Sequence, residues 1–428
     1  MKIITSDQFF EENKDTSFLE SNEEQLDNAV LEIIRQVRME KDAAVLQLTE
    51  KFDKVKLTSL VVTEEEFESA RRKVNENFLP ILREAIQNIT EFHSAQKEQS
   101  WFYEKDNGIM LGQKVTPLDK VGVYIPGGKA AYPSSVLMDV IPAKIAGVTK
   151  IVMTTPPQEN GEINPYVLVA AEEVGVDTVY KVGGAQAVAA LAYGTETIDK
   201  VDKIVGPGNA YVARAKKWVY GDVAIDMIAG PSEICVVADE QAPANYVAAD
   251  LLSQAEHDES ASAICVTTSE KLAKEIQKEV MKQTAQLERK AIIEPSIEQN
   301  GKIIVAKTLA EAFDVVNEIA PEHLELMINN ATEYISSVKH AGAIFIGNYS
   351  PEPLGDYFAG PNHTLPTNGT ARFASPLGVY DFVKKSSIIR YSEKALQASS
   401  EQITTLANIE GLTAHAKSIQ IRKDESNA

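Results

Sequence analysis

Apolar and polar positions change rhythm several times along this 428-residue chain. Up to about residue 100 the apolar residues recur at helical spacing. Leu26, Val30, Ile33 and Val37 form one stripe, and Leu82, Ile86 and Ile89 form another that His93 continues. Ser21-x-x-Glu24 and Thr63-x-x-Glu66 have the form of capping boxes, in which a hydroxyl and a carboxylate satisfy the first free N–H groups of a helix. From about 120 to 240 short β-branched runs alternate with Ala-rich helical stretches. VGVYIP, KIVMTT, DTVYKV, DKIVGPG and SEICVVAD are predicted strands, and the helices between them predict parallel pairing. The rhythm resumes through SAICVTT, KIIVA, LELMI and AIFIG to about 347. Residues 348–375 are dense in Pro, Gly, Asn and Asp and predict a loop, and 393–421 is amphipathic with a break at Gly411.

The pattern predicts an α/β fold with two Rossmann-like parallel-sheet units, a helical N-terminal part and a helical C-terminal tail. The expected divisions are 1–120, 121–232, 233–375 and 376–428, with the first segment packing on the second α/β unit.

Composition narrows the function classes. With 44% hydrophobic and 24% charged residues the chain is ordinary for a globular protein. No apolar run reaches the roughly 20 residues that a bilayer-spanning helix needs. The N-terminal MKIITSDQFFEENKD turns acidic before a signal core can form, so a cytoplasmic location is expected. A formal net charge of -20 opposes a phosphate backbone, which argues against nucleic acid as a partner. Cys235 and Cys265 each sit in an apolar β-like run and read as small core residues rather than as a disulfide or nucleophiles.

Histidine is scarce, yet five of the six lie in the last two fifths of the chain. Gln254 and His257, three apart near a predicted helix end, share one face. Glu322 and His323 stand between a helix end and an apolar strand, at the edge where α/β proteins hold ligands, and could supply two bases. The loop after 348 carries Glu352, Asp356 and His363, and the C-terminal stretch carries Glu410 and His415 around Gly411. Gln254, His257, Asp356 and His415 together offer two imidazoles and two oxygen donors, compatible with zinc, manganese or cobalt. His93 and His340 read as structural. The G-x-G-x-x-G fingerprint is absent, but Ile-Pro-Gly-Gly at 125–128, Gly183-Gly184-Ala-Gln186 and Gly206-Pro-Gly208-Asn209 each follow a predicted strand and open toward a helix, where backbone N–H groups could meet phosphates.

In order, GVYIPGGKAAYPSSVLM, GGAQAVAALAYGT, GPGN, AGPSE, DLLSQAEH, APEHLEL, SPEPLGDYFAGPNHTLPT and NIEGLTAH resemble the successive signature blocks of the histidinol dehydrogenase family, over roughly residues 118–416. The resemblance implies a homodimer whose active sites are shared between subunits, one zinc ion per subunit, and two NAD-linked oxidations of histidinol to histidine through histidinaldehyde. By position it implies Gln254, His257, Asp356 and His415 as zinc ligands and Glu322 and His323 as bases. It assigns NAD contacts to Tyr124, Gln186 and Asn209, and further substrate contacts to Ser232 and Glu410. Ile228 departs from the family's usual proline before Ala-Gly-Pro-Ser-Glu, which bears on that loop's conformation. The competing possibilities are an NAD dehydrogenase of another small polar alcohol, a zinc hydrolase using Glu322, and a non-catalytic metal or nucleotide module.

Overall fold

The computed structural model describes residues 1–14, 21–127 and 131–425. Strand β1 (Lys2–Thr5) leads into helices α1 (Ser6–Lys14), α2 (Ser21–Glu40), α3 (Asp42–Asp53), α4 (Glu64–Lys73) and α5 (Phe78–Ser94). Strands β2 (Trp101–Lys105) and β3 (Ile109–Pro117) follow. The first α/β run is β4 (Lys120–Tyr124), α6 (Pro133–Ala146), β5 (Lys150–Thr155), α7 (Pro165–Glu173), β6 (Thr178–Lys181), α8 (Gly184–Tyr193), β7 (Lys203–Val205), α9 (Ala210–Val219) and β8 (Ala224–Ile225). The second is β9 (Glu233–Ala238), α10 (Ala244–Ala255), β10 (Ser262–Thr267), α11 (Glu270–Thr284), α12 (Lys290–Gln299), β11 (Lys302–Val305), α13 (Leu309–Ile319), β12 (His323–Met327), β13 (Ala343–Ile346) and α14 (Glu352–Tyr357). Strand β14 (Val383–Arg390) and helices α15 (Glu393–Ile409) and α16 (Thr413–Glu425) complete the chain.

Both predicted sheets form, and both are parallel. The first runs β6-β5-β4-β7-β8 and the second β1-β11-β10-β9-β12-β13. Helices cover both faces, so the strands are buried on both, as crossover connections require. In β5, Ile151 and Met153 join one core and Val152 the other, which is the period-two alternation of a strand between two helical layers. In the second sheet Ile234 and Val236 of β9 face α10, whereas Cys235 and Val237 face α13.

Three findings correct the expectations. The helices α2 and α3 pack on the first sheet, with Val30, Ile33, Val37 and Leu48 in one core with Val152 and Val188, and α5 packs on its other face. Only β1 and α1 join the second sheet, where β1 pairs with β11. An amphipathic stripe says that a helix must be covered but not by which sheet, and four residues of β1 are too few to show a period. The helical readings of the two ends also omitted β2, β3 and β14, which form an antiparallel sheet in the order β14-β3-β2. The 348–375 loop contains the short helix α14. By contrast, the Thr63 capping box forms with both its bonds, and the C-terminal helices break around Gly411. The side chain of Ser21 and residue Gly128 lie outside the described residues.

The chain falls into two compact units. One comprises Met1–Gln96 with Leu118–Phe382, and the other Lys97–Pro117 with Val383–Ala428. Both parallel sheets therefore belong to the first unit. Among the described residues no helix is long and apolar enough to cross a membrane.

Candidate active site

The first sheet reverses its strand order at β4, because β5 and β6 lie on one side of it and β7 and β8 on the other. Such a switch point opens a crevice at the carboxyl ends of the strands, where open α/β sheets take their ligands. Tyr124 ends β4 there. Its buried hydroxyl accepts the Gly184 N–H at 3.0 Å, and burial pushes its pKa up to about 12. Gln186 is buried in the first turn of α8. Asn209 caps α9, its side-chain oxygen accepting from the N–H groups of Tyr211 and Val212.

The turn before Asn209 is held by buried charges. Lys216 of α9 reaches back to the Gly206 carbonyl at 2.9 Å and forms an ion pair with Asp226, whose other oxygen accepts the Gly206 N–H at 2.8 Å. Gly206 has φ 110°, and a Cβ there would stand 2.1 Å from the Tyr124 carbonyl oxygen, so only glycine fits where β4 and β7 run closest.

The histidines gather at the opposite kind of edge. His323 opens β12, so the candidate bases lie at the amino end of the second sheet and not at the carboxyl edge where the strand-helix rule would put them. The helices explain this, since α10 and α13 run back from the carboxyl edge and deliver their C-termini to the amino edge. Gln254 lies in the last turn of α10 and His257 just beyond it. Gln254 is buried, and its side-chain oxygen has no hydrogen-bond partner.

On β12, His323, Glu325 and Met327 alternate onto the α10 face, and Leu324 and Leu326 onto the α13 face. His323 Nδ1 lies 3.0 Å from the Glu233 carbonyl, so Nδ1 carries the proton and donates it there. Its Nε2 is buried, unpartnered and 3.9 Å from Asp356 Oδ1. Burial lowers the His323 pKa to about 4, which leaves a neutral imidazole with a free lone pair. The adjacent Glu322 is also buried; one oxygen accepts the Glu233 N–H at 2.8 Å, and desolvation raises its pKa well above the carboxylate range.

Helix α14 brings Glu352 and Asp356 one turn apart onto the same ground. Gly355 between them lets α14 lie against β13, since a Cβ there would come within 2.7 Å of the Phe345 ring. Ligand atoms of His257, Glu352 and Asp356 all fall within 4.8 Å of one another. Burial raises Asp356 to about 6 and Glu352 to about 8, and the two carboxyls share a hydrogen bond. Glu352 stands outside the ligand set implied by the resemblance, although its spacing of four from Asp356 is the helical signal that could have revealed it.

The following loop fastens this ground to the first sheet. The His363 ring is pinned at both nitrogens, by the Asp356 carbonyl at 3.0 Å and the Ser135 hydroxyl at 3.1 Å, and burial lowers its pKa to about 4. Thr364 donates to the buried Asp139 of α6 at 3.0 Å, and Asn362 donates to the Met138 carbonyl at 2.6 Å. Beside them a cavity of about 440 Å³ is lined by His323, Asp356, His363, Phe345 and Leu365 among others.

Ser232 precedes Glu233, the residue that orients both candidate bases. Ile228 is 47% exposed, and the loop after it is tied by Gly230 N–H to Thr367 at 2.7 Å. His93 is buried, with Nδ1 on the Ile89 carbonyl, and His340 is fixed through its backbone by Asn317. Glu410 and His415 belong to the second unit, where both are exposed. The structure thus brings together His257, Glu322, His323 and Asp356 within the first unit, with Gln254 one turn before His257 on α10.

The family model for histidinol dehydrogenase matches residues 18–423. The chain belongs to the histidinol dehydrogenase family. It is 58% identical over 428 residues to the histidinol dehydrogenase of Oceanobacillus iheyensis, covering 100% of both chains. It is 56% identical over 405 residues to that of Bacillus subtilis, covering 95% of each. The crystal structure of histidinol dehydrogenase from Elizabethkingia anophelis superimposes with a TM-score of 0.91 at 40% identity, over 96% of this chain and 94% of that one. Family membership makes the chain an oxidoreductase and sets aside the hydrolase and the non-catalytic module.

Proposed function

We propose that the chain oxidises histidinol to histidine in two NAD-linked steps at the amino edge of the second sheet, with one zinc ion per subunit. The observation that carries this reading is the convergence of His257, Glu352 and Asp356, with the buried, unpartnered Gln254 oxygen one turn before His257 on α10, beside a histidine with one nitrogen anchored and the other free. The donor set fits the metal: an unpaired buried amide oxygen, an imidazole and a carboxylate suit a borderline cation such as zinc. Glu352, bonded to both Asp356 and Ser253, orients the carboxylate ligand. His415 of the partner subunit is the fourth donor, with Glu410 of the partner subunit on the substrate, so the working form is a homodimer. We place it in the cytoplasm.

When bound, zinc serves as a template for the amine and imidazole nitrogens of histidinol. Tyr124, Gln186 and Asn209, at the carboxyl edge of the first sheet, would hold NAD, which would supply the hydride acceptor. The remaining work falls to side chains. Ser232 contacts the substrate. His323 Nε2 takes the hydroxyl proton as hydride leaves the carbinol carbon, which gives the aldehyde. Glu322, in its ionised form, takes a proton from the water that adds to the aldehyde, and the hydrate yields a second hydride and the carboxylate. Each step passes two electrons to one NAD; the first releases one proton and the second two, and water supplies the second carboxylate oxygen.

Absorbance at 340 nm tests the reading. Zinc-loaded protein should form two NADH per histidinol consumed, and activity lost to a chelator should return with zinc. One NADH per histidinol, or full turnover by metal-free protein, would contradict it.

A further inference from the structure

Behind the donor cluster lie two more carboxyls, Asp250 and Glu325, that take no part in the chemistry above. Asp250 is on α10, one turn before Gln254 and two before His257. Glu325 is on β12, two residues after His323 and on the same face of the strand. Glu325 Oε1 accepts the N–H of Glu352, the first residue of α14, at 2.7 Å. The carboxyl groups of Glu325 and Asp250 hydrogen-bond to each other. Two carboxylates offer only acceptors, so a bond between them needs a proton on one of the two, and Glu325 Oε2 has no other hydrogen-bond partner. Ser253, also on α10, lies 2.8 Å from the Asp250 carbonyl and 3.0 Å from Glu352 Oε2, adding a second tie between α10 and α14.

The three elements joined here are the three that present the site: α10 with Gln254 and His257, β12 with His323, and α14 with Glu352 and Asp356. Each has only one short segment at the site. A shift of α14 along β12 by a fraction of a turn would move Asp356 away from His257. Hydrophobic packing resists such sliding weakly because it has no direction, whereas a hydrogen bond to the first N–H of α14 has a fixed length and angle. A buried acid pair is also a poor choice for stability alone, since apolar residues of like volume commonly do as well or better.

We propose that the Asp250–Glu325 pair is a positioning device that sets the spacing between the α10 and α14 metal donors. The inference rests on the metal-site reading above. Neither residue is among the candidate donors or bases named above.

The test uses full-length protein stripped of metal, with zinc itself as the probe and a chromophoric chelator as competitor, together with the unfolding midpoint of each metal-free variant. Glu325→Gln keeps an oxygen for the Glu352 N–H and offers an amide to Asp250. Glu325→Met fills the space with neither. Loss of such an outer partner typically weakens metal binding 10- to 100-fold. We expect Glu325→Met to lose zinc affinity by about that factor while the metal-free protein stays folded, and Glu325→Gln to stay within about threefold of wild type. Asp250→Leu and Asp250→Asn repeat the contrast from the α10 side and decide the matter if the Met variant does not fold. Tight zinc binding by folded Glu325→Met and Asp250→Leu overturns the proposal, as does equal loss in the Gln and Met variants. Failure of wild-type protein to bind zinc would instead overturn the metal reading, and the positioning role would fall with it.

Discussion

The carboxyl edge of the first sheet and the amino edge of the second both bury charge, but they use it in opposite ways. At the first, Lys216, Asp226 and the Gly206 peptide satisfy one another, and what they present outward is a shaped turn of backbone. At the second, Gln254 Oε1 and His323 Nε2 are buried with no partner, and burial, with neighbouring carboxyls adding to it, raises the pKa values of Glu322 and Glu352. Unpaired buried polar atoms destabilise a fold by about 1–3 kcal/mol each, and Gln254 Oε1 and His323 Nε2 carry that cost at the amino edge where the candidate donors lie. A paired charge holds a geometry, and an unpaired one is available to a ligand.

The comparison can be broken most severely at His323. His323→Asn should lower kcat for both oxidations by about 10²- to 10⁴-fold, the usual range for a general base, with zinc content unchanged. Single-turnover measurements starting from histidinol and from histidinaldehyde would show it, and a loss confined to one step would separate His323 from the base role. Glu322→Gln should slow the aldehyde step about a hundredfold and the alcohol step much less, because only the former needs an activated water. Equal losses in both would count against that division.

On the other edge, Lys216→Met leaves Asp226 buried without its partner. The expected result is a loss of about 3–5 kcal/mol of stability and a raised KM for NAD, with zinc affinity retained in whatever fraction folds. Unaltered thermal unfolding would show that the ion pair does not hold the turn. The smallest effect belongs to the thiols. Burial raises the Cys265 pKa to about 12 and that of Cys235 further, so neither forms a thiolate at neutral pH. Cys235→Ala and Cys265→Ala should each keep turnover within about twofold, and loss of the aldehyde step in a folded variant would revive a covalent thiol route.

How far the sequence speaks follows the same physics. The parallel strands were legible because burial on both faces writes a continuous β-branched run, and the helix break at Gly411 because glycine interrupts an amphipathic pattern. Strand β1 was not, since its four residues carry no period of their own and gain meaning only beside β11. The candidate donors Gln254, His257 and Asp356 are visible as polar residues near element ends. Asp250, Glu325 and Glu352 were harder to see because their roles depend on contacts between α10, β12 and α14 that no local spacing encodes. The edge itself was misjudged for His323: the residue before a strand looks alike in sequence at either end of a sheet, and only chain direction tells amino from carboxyl.

On this reading Gln254 Oε1, His257 and Asp356, at the amino edge of the second sheet, are the metal ligands, and the buried, unpaired His323 Nε2 is left free as the base. Anomalous scattering at the zinc edge, from crystals of the full chain grown with zinc, tests it most directly. We expect one strong peak per subunit bonded to Gln254 Oε1, His257, Asp356 and His415 of the partner subunit, with His323 close by but unligated. A peak elsewhere, or zinc held by His323 in place of Gln254, would contradict it.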